Sequence, residues 1–300
     1  MRWSRQGETL IVHTPAKLNL FLRVLGRRDD GYHDLETLMV SIRRYDTLQF
    51  EPTVESDVSL VCHSTKPGVT GSSLPLDQSN LVLKAAHALK DHTGSPRGAA
   101  IQLVKRIPSE AGLGGGSSDA AATLLGLNEL WELNLPSAEL HALAASLGSD
   151  VNFFLHSCVA AVCRGRGERT NPVPVRHPLH FVVAKPQTGL STGRVFQNLL
   201  IDESDSRISL DQSMSRFCAG TLAQIGQGME NDLEPPSREL NEDVADLLEQ
   251  LRSSESPGAA MSGSGSACFA VCHSARHAQA VAKRFTGRRW GDVFPVSSGI

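Results

Sequence analysis

An α+β chain folded as two domains is the architecture the sequence predicts, and three observations carry it. Predicted strands and helices interleave without a repeating strand–helix–strand rhythm, which argues against a doubly wound parallel sheet. The 300 residues suffice for two compact domains or one large one. Near the middle, the charged, glycine-punctuated run Arg164-Gly165-Arg166-Gly167-Glu168 breaks the pattern and divides the chain into 1–165 and 166–300.

In order along the chain, residues 9–13 and 17–25 read as strands separated by Pro15. In the second, Leu18, Leu20, Leu22 and Val24 alternate and belong to a core face. Period two then sends Lys17, Asn19 and Arg23 to the other face, where either solvent or a ligand would receive them. Strands over 47–51 and 58–62 follow, then a Gly-, Ser- and Pro-rich loop over 66–75. Ser79 is a candidate cap for a helix carrying Leu81, Val82, Ala85, Ala86 and Leu89 on one side, which stops near Gly94. A strand over 99–105 leads into a glycine run and an apolar helix over 120–133.

Pro136-Ser137 opens another helix, with Leu140, Leu143, Ala144 and Leu147 at helical spacing and Gly148 as its stop. Asp150 therefore falls at a helix exit. Residues 158–163 form a strand before the break. Beyond it come a strand over 181–185, a Ser191-capped helix to Leu200, and a polar loop over 202–215. Helices at 244–251 and 277–285 flank a strand over 267–272.

The glycine run is the most informative segment. It reads Pro108-Ser109-Glu110-Ala111-Gly112-Leu113-Gly114-Gly115-Gly116-Ser117-Ser118, with Asp119 next. Glycines admit positive φ and let backbone N–H groups approach a ligand. Ser117, Ser118 and Asp119 are good N-cap types, so the helix is expected to start there. Unpaired N–H groups and the positive end of the helix dipole then converge on an anion, most often a phosphate. It is neither a GxxxxGK[ST] loop, since no glycine precedes a lysine, nor a G-x-G-x-x-G fingerprint, since the last position falls on Ser117 or Asp119.

Composition narrows the class further. A net charge of −3 argues against a general nucleic-acid or membrane-surface binder, so an anionic ligand needs a local site. No apolar stretch is long enough to cross a bilayer, and Met1 to Gln6 lack a signal core, which predicts a cytoplasmic protein. The cysteines Cys62, Cys158, Cys163, Cys218, Cys268 and Cys272 form no CxxC pair and no zinc spacing, so no protein-held metal or disulfide is expected.

The run resembles the central phosphate-binding motif of the GHMP kinases. Three further segments fit that family in order: Pro15-Ala16-Lys17-Leu18-Asn19-Leu20, Gly31-Tyr32-His33 with Leu35 and Thr37 following, and Met261-Ser262-Gly263-Ser264-Gly265-Ser266-Ala267-Cys268-Phe269. The resemblance implies a ribosomal-protein-S5-like N-terminal domain that binds ATP and a ferredoxin-like C-terminal domain. It is strongest to the branch whose small-molecule acceptor is a cytidine diphosphate-linked methylerythritol. It further implies that Pro108 to Ser118 hold ATP and that Mg2+ accompanies the phosphates, with Ser117 or Ser118 a weak ligand. Asp150, in Leu147-Gly148-Ser149-Asp150-Val151-Asn152, is by resemblance the base, with Lys17 its charged partner. Asn19, Tyr32, His33 and Phe196 are implied acceptor contacts, Tyr32 and Phe196 covering the two faces of the cytosine and His33 reading its edge. The family usually carries proline where this chain has Asn152, a change expected to relax the backbone beside Asp150. The implied assembly is a monomer or a homodimer, without nucleic acid or membrane. A nucleotide-binding regulator without turnover would need the glycine run, but not Lys17 and Asp150.

Overall fold

The structure is a computed structural model that describes residues 1–64, 77–201, 207–287 and 290–300. The first sheet is built on a long hairpin. Strand β1 (Arg2–Gln6) pairs with β2 (Thr9–Arg27), and β2 pairs antiparallel along its length with β3 (His33–Thr53). Two strands were expected on either side of Pro15; one continuous strand is observed. A bulge between Pro15 and Ala16 absorbs the proline, which removes one ladder donor without ending the pairing. Similarly, β3 begins fourteen residues before the expected 47–51, because residues 35–40 find a separate partner in a later strand.

Strand β4 (Val58–Ser64) precedes the expected loop over 66–75, which lies outside the described residues. Helix α1 (Leu81–Thr93) is capped by Asn80, whose side chain accepts from Val82 N, rather than by Ser79. Gly94 ends it at φ 65°. Strand β5 (Gly98–Lys105) pairs with both β3 and β4. Helices α2 (Gly115–Leu130), α3 (Ser137–Leu147) and α4 (Val151–Leu155) follow, then the strands β6 (Ala160–Gly165) and β7 (Arg169–Pro172). β6 pairs with the early part of β3, and β7 with β6, so the first sheet runs past residue 165 to Pro172.

A second, antiparallel sheet begins with β8 (His180–Pro186). Helix α5 (Thr192–Gln197) is shorter than expected. Of the polar stretch read as a loop, 202–206 are not described, but from Leu210 it is helix α6 (Leu210–Ala219). Its signals were short-range: Ser209 and Gln212 form a reciprocal capping box, and Leu210, Ser213 and Phe217 are its buried face. Helix α7 (Leu222–Gln227), strand β9 (Glu230–Asn231) on the edge of β2, and helices α8 (Glu234–Leu240) and α9 (Glu242–Arg252) lead to β10 (Gly258–Met261) and β11 (Cys268–Cys272). Helix α10 (Ala275–Phe285) and β12 (Trp290–Ser297) complete the order β10-β11-β8-β12.

Three cores hold these layers together. Leu10, Val12, Leu48, Phe50 and Ile101 pack under α1 to α4. On the other side of the first sheet Leu18, Leu20, Leu38 and Val40 meet Phe181, Val183, Phe269 and Val271 of the second. Each fully buried ring there contributes on the order of 2 kcal/mol. The far face of the second sheet, including Cys268 and Cys272, packs against α9 and α10. Both faces of β2 are therefore covered, which is why Lys17 and Asn19 are buried despite lying opposite the leucines. Among the described residues, no helix is long and apolar enough to cross a membrane.

Candidate active site

The glycine run crosses the first sheet where β2 bulges. Helix α2 starts at Gly115, two residues before the earliest expected cap, with Gly114 at φ 71° as its N-cap and no side-chain cap. A helix starting there leaves the N–H groups of Gly115, Gly116 and Ser117 without intrahelical partners. Ser118 N already donates to Gly114 O at 2.9 Å. Two glycines are dictated by space as well as by φ. A Cβ on Gly112 (φ 68°) would sit 1.9 Å from Ser262 O, and one on Gly114 would reach 2.9 Å from the Phe154 ring and 3.0 Å from Lys17 Cγ.

The two serines divide. Ser118 Oγ donates to Pro15 O at 2.6 Å, and Thr14 Oγ1 bonds both Ser118 O and Ser118 Oγ. It is part of the core. Ser117 instead faces both a cavity of about 1200 Å³ and a smaller one of about 370 Å³. Every residue from Pro108 to Ser117 lines the smaller pocket, which continues to Asn80, Leu81 and Leu103.

Lys17 and Asp150 meet at the floor of the large cavity, with Nζ 3.4 Å from Oδ2. The lysine side chain is 4% exposed and the aspartate 24%. Lys17 Nζ donates to Asn19 Oδ1 at 2.5 Å, Asn19 Nδ2 to Thr37 Oγ1 at 2.8 Å, and Thr37 Oγ1 to Phe21 O at 2.6 Å. Lys17 N donates to Leu113 O at 3.0 Å, so the strand and the glycine run are stitched together. From the second sheet, Ser262 Oγ donates to Gly112 O at 2.9 Å, and Ala267 N to Ala111 O at 3.2 Å. The Ser262-Gly263-Ser264 turn thus approaches the glycine run. Asn231 Nδ2 holds that turn through Met261 O and Gly263 O, both at 2.8 Å, a role with no signal in the sequence.

Beneath the run lies a buried charge cluster the sequence did not reveal. Lys105 Nζ bonds Asp46 and, at 2.7 Å, Asp119 Oδ2. Burial, reinforced by the neighbouring Asp46 and opposed by Lys105, raises Asp119 to about 8.

Tyr32, His33 and Phe196 line the opposite end of the large cavity. Phe196 stacks on His33, with centroids 4.8 Å apart and planes at 23°, rather than facing Tyr32. The Tyr32 ring is covered by the Arg166 guanidinium at 4.9 Å. Arg166 also donates to Ala145 O at 3.0 Å and lines the cavity with Tyr32 and Asp150. Its only sequence signal was its place between Gly165 and Gly167. Burial, with Arg27 nearby, lowers the pKa of His33, so the ring is neutral at pH 7 and offers one donor and one acceptor.

A positive-φ glycine turn opening a helix beside a lysine–aspartate pair is an arrangement suited to a small-molecule kinase. Residues 80–158 match the GHMP kinases N terminal domain and residues 213–291 the GHMP kinases C terminal family; the chain belongs to the GHMP kinases. Several curated relatives are 4-diphosphocytidyl-2-C-methyl-D-erythritol kinases. A 4-diphosphocytidyl-2-C-methyl-D-erythritol kinase of Alcanivorax borkumensis is 40% identical, over 87% of this chain and 82% of that protein. One from Chlorobium phaeobacteroides is 39% identical over 94% of each. A crystal structure of 4-(cytidine 5'-diphospho)-2C-methyl-D-erythritol kinase superposes with a TM-score of 0.77 at 34% identity, covering 97% of this chain and all of that one.

Proposed function

We propose that this chain transfers the γ-phosphoryl group of ATP to the 2-hydroxyl of 4-diphosphocytidyl-2-C-methyl-D-erythritol, releasing the 2-phosphate and ADP. That reaction belongs to the methylerythritol phosphate route to isopentenyl diphosphate. The observation that carries the reading is the Lys17–Asp150 pair, 3.4 Å apart and within one side chain of the Gly114 turn.

The triphosphate lies along Gly112 to Ser117, its oxygens on the N–H groups of the α2 N-terminus, and its base enters the pocket beside Asn80, Leu81 and Leu103. Phosphoryl transfer asks mainly for alignment and charge neutralisation. As the acceptor oxygen closes on the terminal phosphorus, Asp150 takes its proton. Lys17, held by Asn19, stabilises the negative charge building on that oxygen. Mg2+ would supply positive charge to the phosphates. It needs few protein ligands, and Ser117 is the serine whose hydroxyl faces the cavity.

Tyr32, Arg166 and Asp150 all line the one cavity, with Arg166 in contact with Tyr32, so base, diphosphate and reacting hydroxyl of a single acceptor each have a partner there. The base stacks on Tyr32, with His33 on its polar edge and Phe196 beside it, and Arg166 turns from the ring to the diphosphate. Residues 1–165 carry the ATP side and 166–300 close the cavity, with β7 remaining on the first sheet.

The test is an ADP-release assay with the cytidylylated methylerythritol, mevalonate and homoserine offered in turn. ATP-dependent turnover with the first alone supports the reading. Turnover only with another acceptor, or none with any, ends it.

A further inference from the structure

Asn152 was expected to loosen the backbone next to Asp150, and the structure places it otherwise. The residue is 4% exposed and its side chain is tied at both ends. Its Nδ2 donates to Glu168 O at 3.1 Å, and its Oδ1 lies 2.8 Å from His141 Nδ1. Because the Glu168 carbonyl only accepts, the amide nitrogen must face it and the amide oxygen must face the imidazole. His141 Nδ1 therefore carries a hydrogen and donates. The clamp joins three segments: α3, which carries His141; the start of α4, where Asp150 occupies the N-cap; and the turn after β6, which carries Arg166 and Glu168. That turn is fixed in the same way, since Glu168 Oε2 accepts from Arg166 N at 2.7 Å.

Asp150 has no side-chain capping bond of its own and must keep its carboxylate turned toward Lys17. Its backbone angles, φ −88° and ψ −8°, do not impose that direction alone. The anchoring of the next residues, Val151 and Asn152, has to supply the rest. We infer that Asn152 is a positioning residue: its carboxamide, clamped between His141 and Glu168, sets the direction of the Asp150 carboxylate at Lys17. The inference rests on the assignment of Asp150 as the base. In a helix first turn the N–H of position 152 has no intrahelical partner, so proline also fits there and would supply stiffness from the main chain instead.

The clamp can be tested with coupled variants. Turnover is measured for the unsubstituted chain, Asn152→Ala, His141→Ala, Asn152→Pro and His141→Ala combined with Asn152→Pro, with ATP binding measured separately to count folded sites. A misplaced base lowers kcat, so Asn152→Ala and His141→Ala each lower it by on the order of tenfold while the KM for ATP stays within about twofold. Asn152→Pro recovers most of the loss seen in Asn152→Ala. In that proline background His141→Ala loses little more, because the imidazole no longer has a partner to hold. A merely structural histidine would cost the same in both backgrounds, and that result overturns the inference. So does full turnover in Asn152→Ala alongside an inactive Asp150→Ala, an outcome that leaves the base assignment standing. If Asn152→Ala does not fold, the comparison of His141→Ala in the two backgrounds still decides.

Discussion

At one end of the large cavity, Lys17 is held by Asn19, Thr37 and the glycine run in a network drawn from β2, β3 and both sheets, almost wholly out of water. At the other end, Tyr32 is 53% exposed on the turn before β3, and Phe196 sits on a six-residue helix. The first end is complete without a ligand. The second has its aromatic faces already engaged, Phe196 with His33 and Tyr32 with Arg166, and under the proposed reading exchanges those contacts for a substrate's. Chemistry is thus assigned to the pre-organised end and selection of the acceptor to the adaptable one. Substitutions should separate along the same line, into losses of turnover and losses of affinity.

The largest separation is expected at Asp150. On the proposed mechanism, replacing it with alanine removes the proton acceptor and leaves the nucleotide's contacts with the glycine run intact. Turnover should fall by roughly 10²- to 10⁴-fold, the usual worth of a positioned acid–base group, with ATP affinity within about twofold. Single-turnover kinetics and calorimetric titration of an ATP analogue measure the two quantities. A parallel loss of both would break the division between the ends.

Tyr32 tests the other end. Stacking a base on an aromatic ring is worth about 1–3 kcal/mol, so Tyr32→Ala should raise the KM for a cytidylylated acceptor by about 5- to 150-fold. The KM for ATP and the turnover at saturating acceptor should stay close to those of the parent chain. Initial-rate measurements with each substrate varied in turn settle it. Equal shifts in both KM values would show that the two ends are not independent.

The same contrast explains what could be read from the residues in order. Lys17, Asp150 and the Tyr32-His33 turn were singled out by the family resemblance, and the structure lines one cavity with all of them. The glycine turn and the helix it opens, by contrast, were legible because backbone reach and helix capping are local properties. Helix α3 was legible for the same reason, its apolar positions and Gly148 agreeing with the observed span. Tertiary choices were not. That Ser118 turns inward to Thr14 and Pro15, that residues 33–46 and 47–53 run on as one strand, and that Asn231 grips the Gly263 turn all depend on segments far away in sequence. Helix α6 was missed despite its capping box, because its short apolar face is interleaved with polar residues over only ten positions.

The smallest effect is expected where the pre-organised end carries an unbalanced charge. Lys105 faces two carboxylates. Asp46 is satisfied, accepting from Ile107 N at 2.9 Å and from Arg106 N, whereas Asp119 Oδ1 is buried with no hydrogen-bond partner among the described residues. Burial first, then Asp46, raise Asp119 from 3.8 to about 8. Between those values the folded chain retains a proton that the unfolded chain has released, so stability falls as pH rises through that window. An asparagine in place of this aspartate cannot ionise, and Asp119→Asn should remove this part of the slope. Melting temperatures at pH 6 and pH 8.5 should differ by a few degrees less in Asp119→Asn than in the parent, since about 1 kcal/mol moves Tm by only about 2–4 °C in chains somewhat smaller than this one. The KM for the cytidylylated acceptor should not move, because Asp119 belongs to the phosphate end. Identical pH slopes for the two proteins would mean that Asp119 is already ionised in the fold, with Lys105 sufficient for both carboxylates.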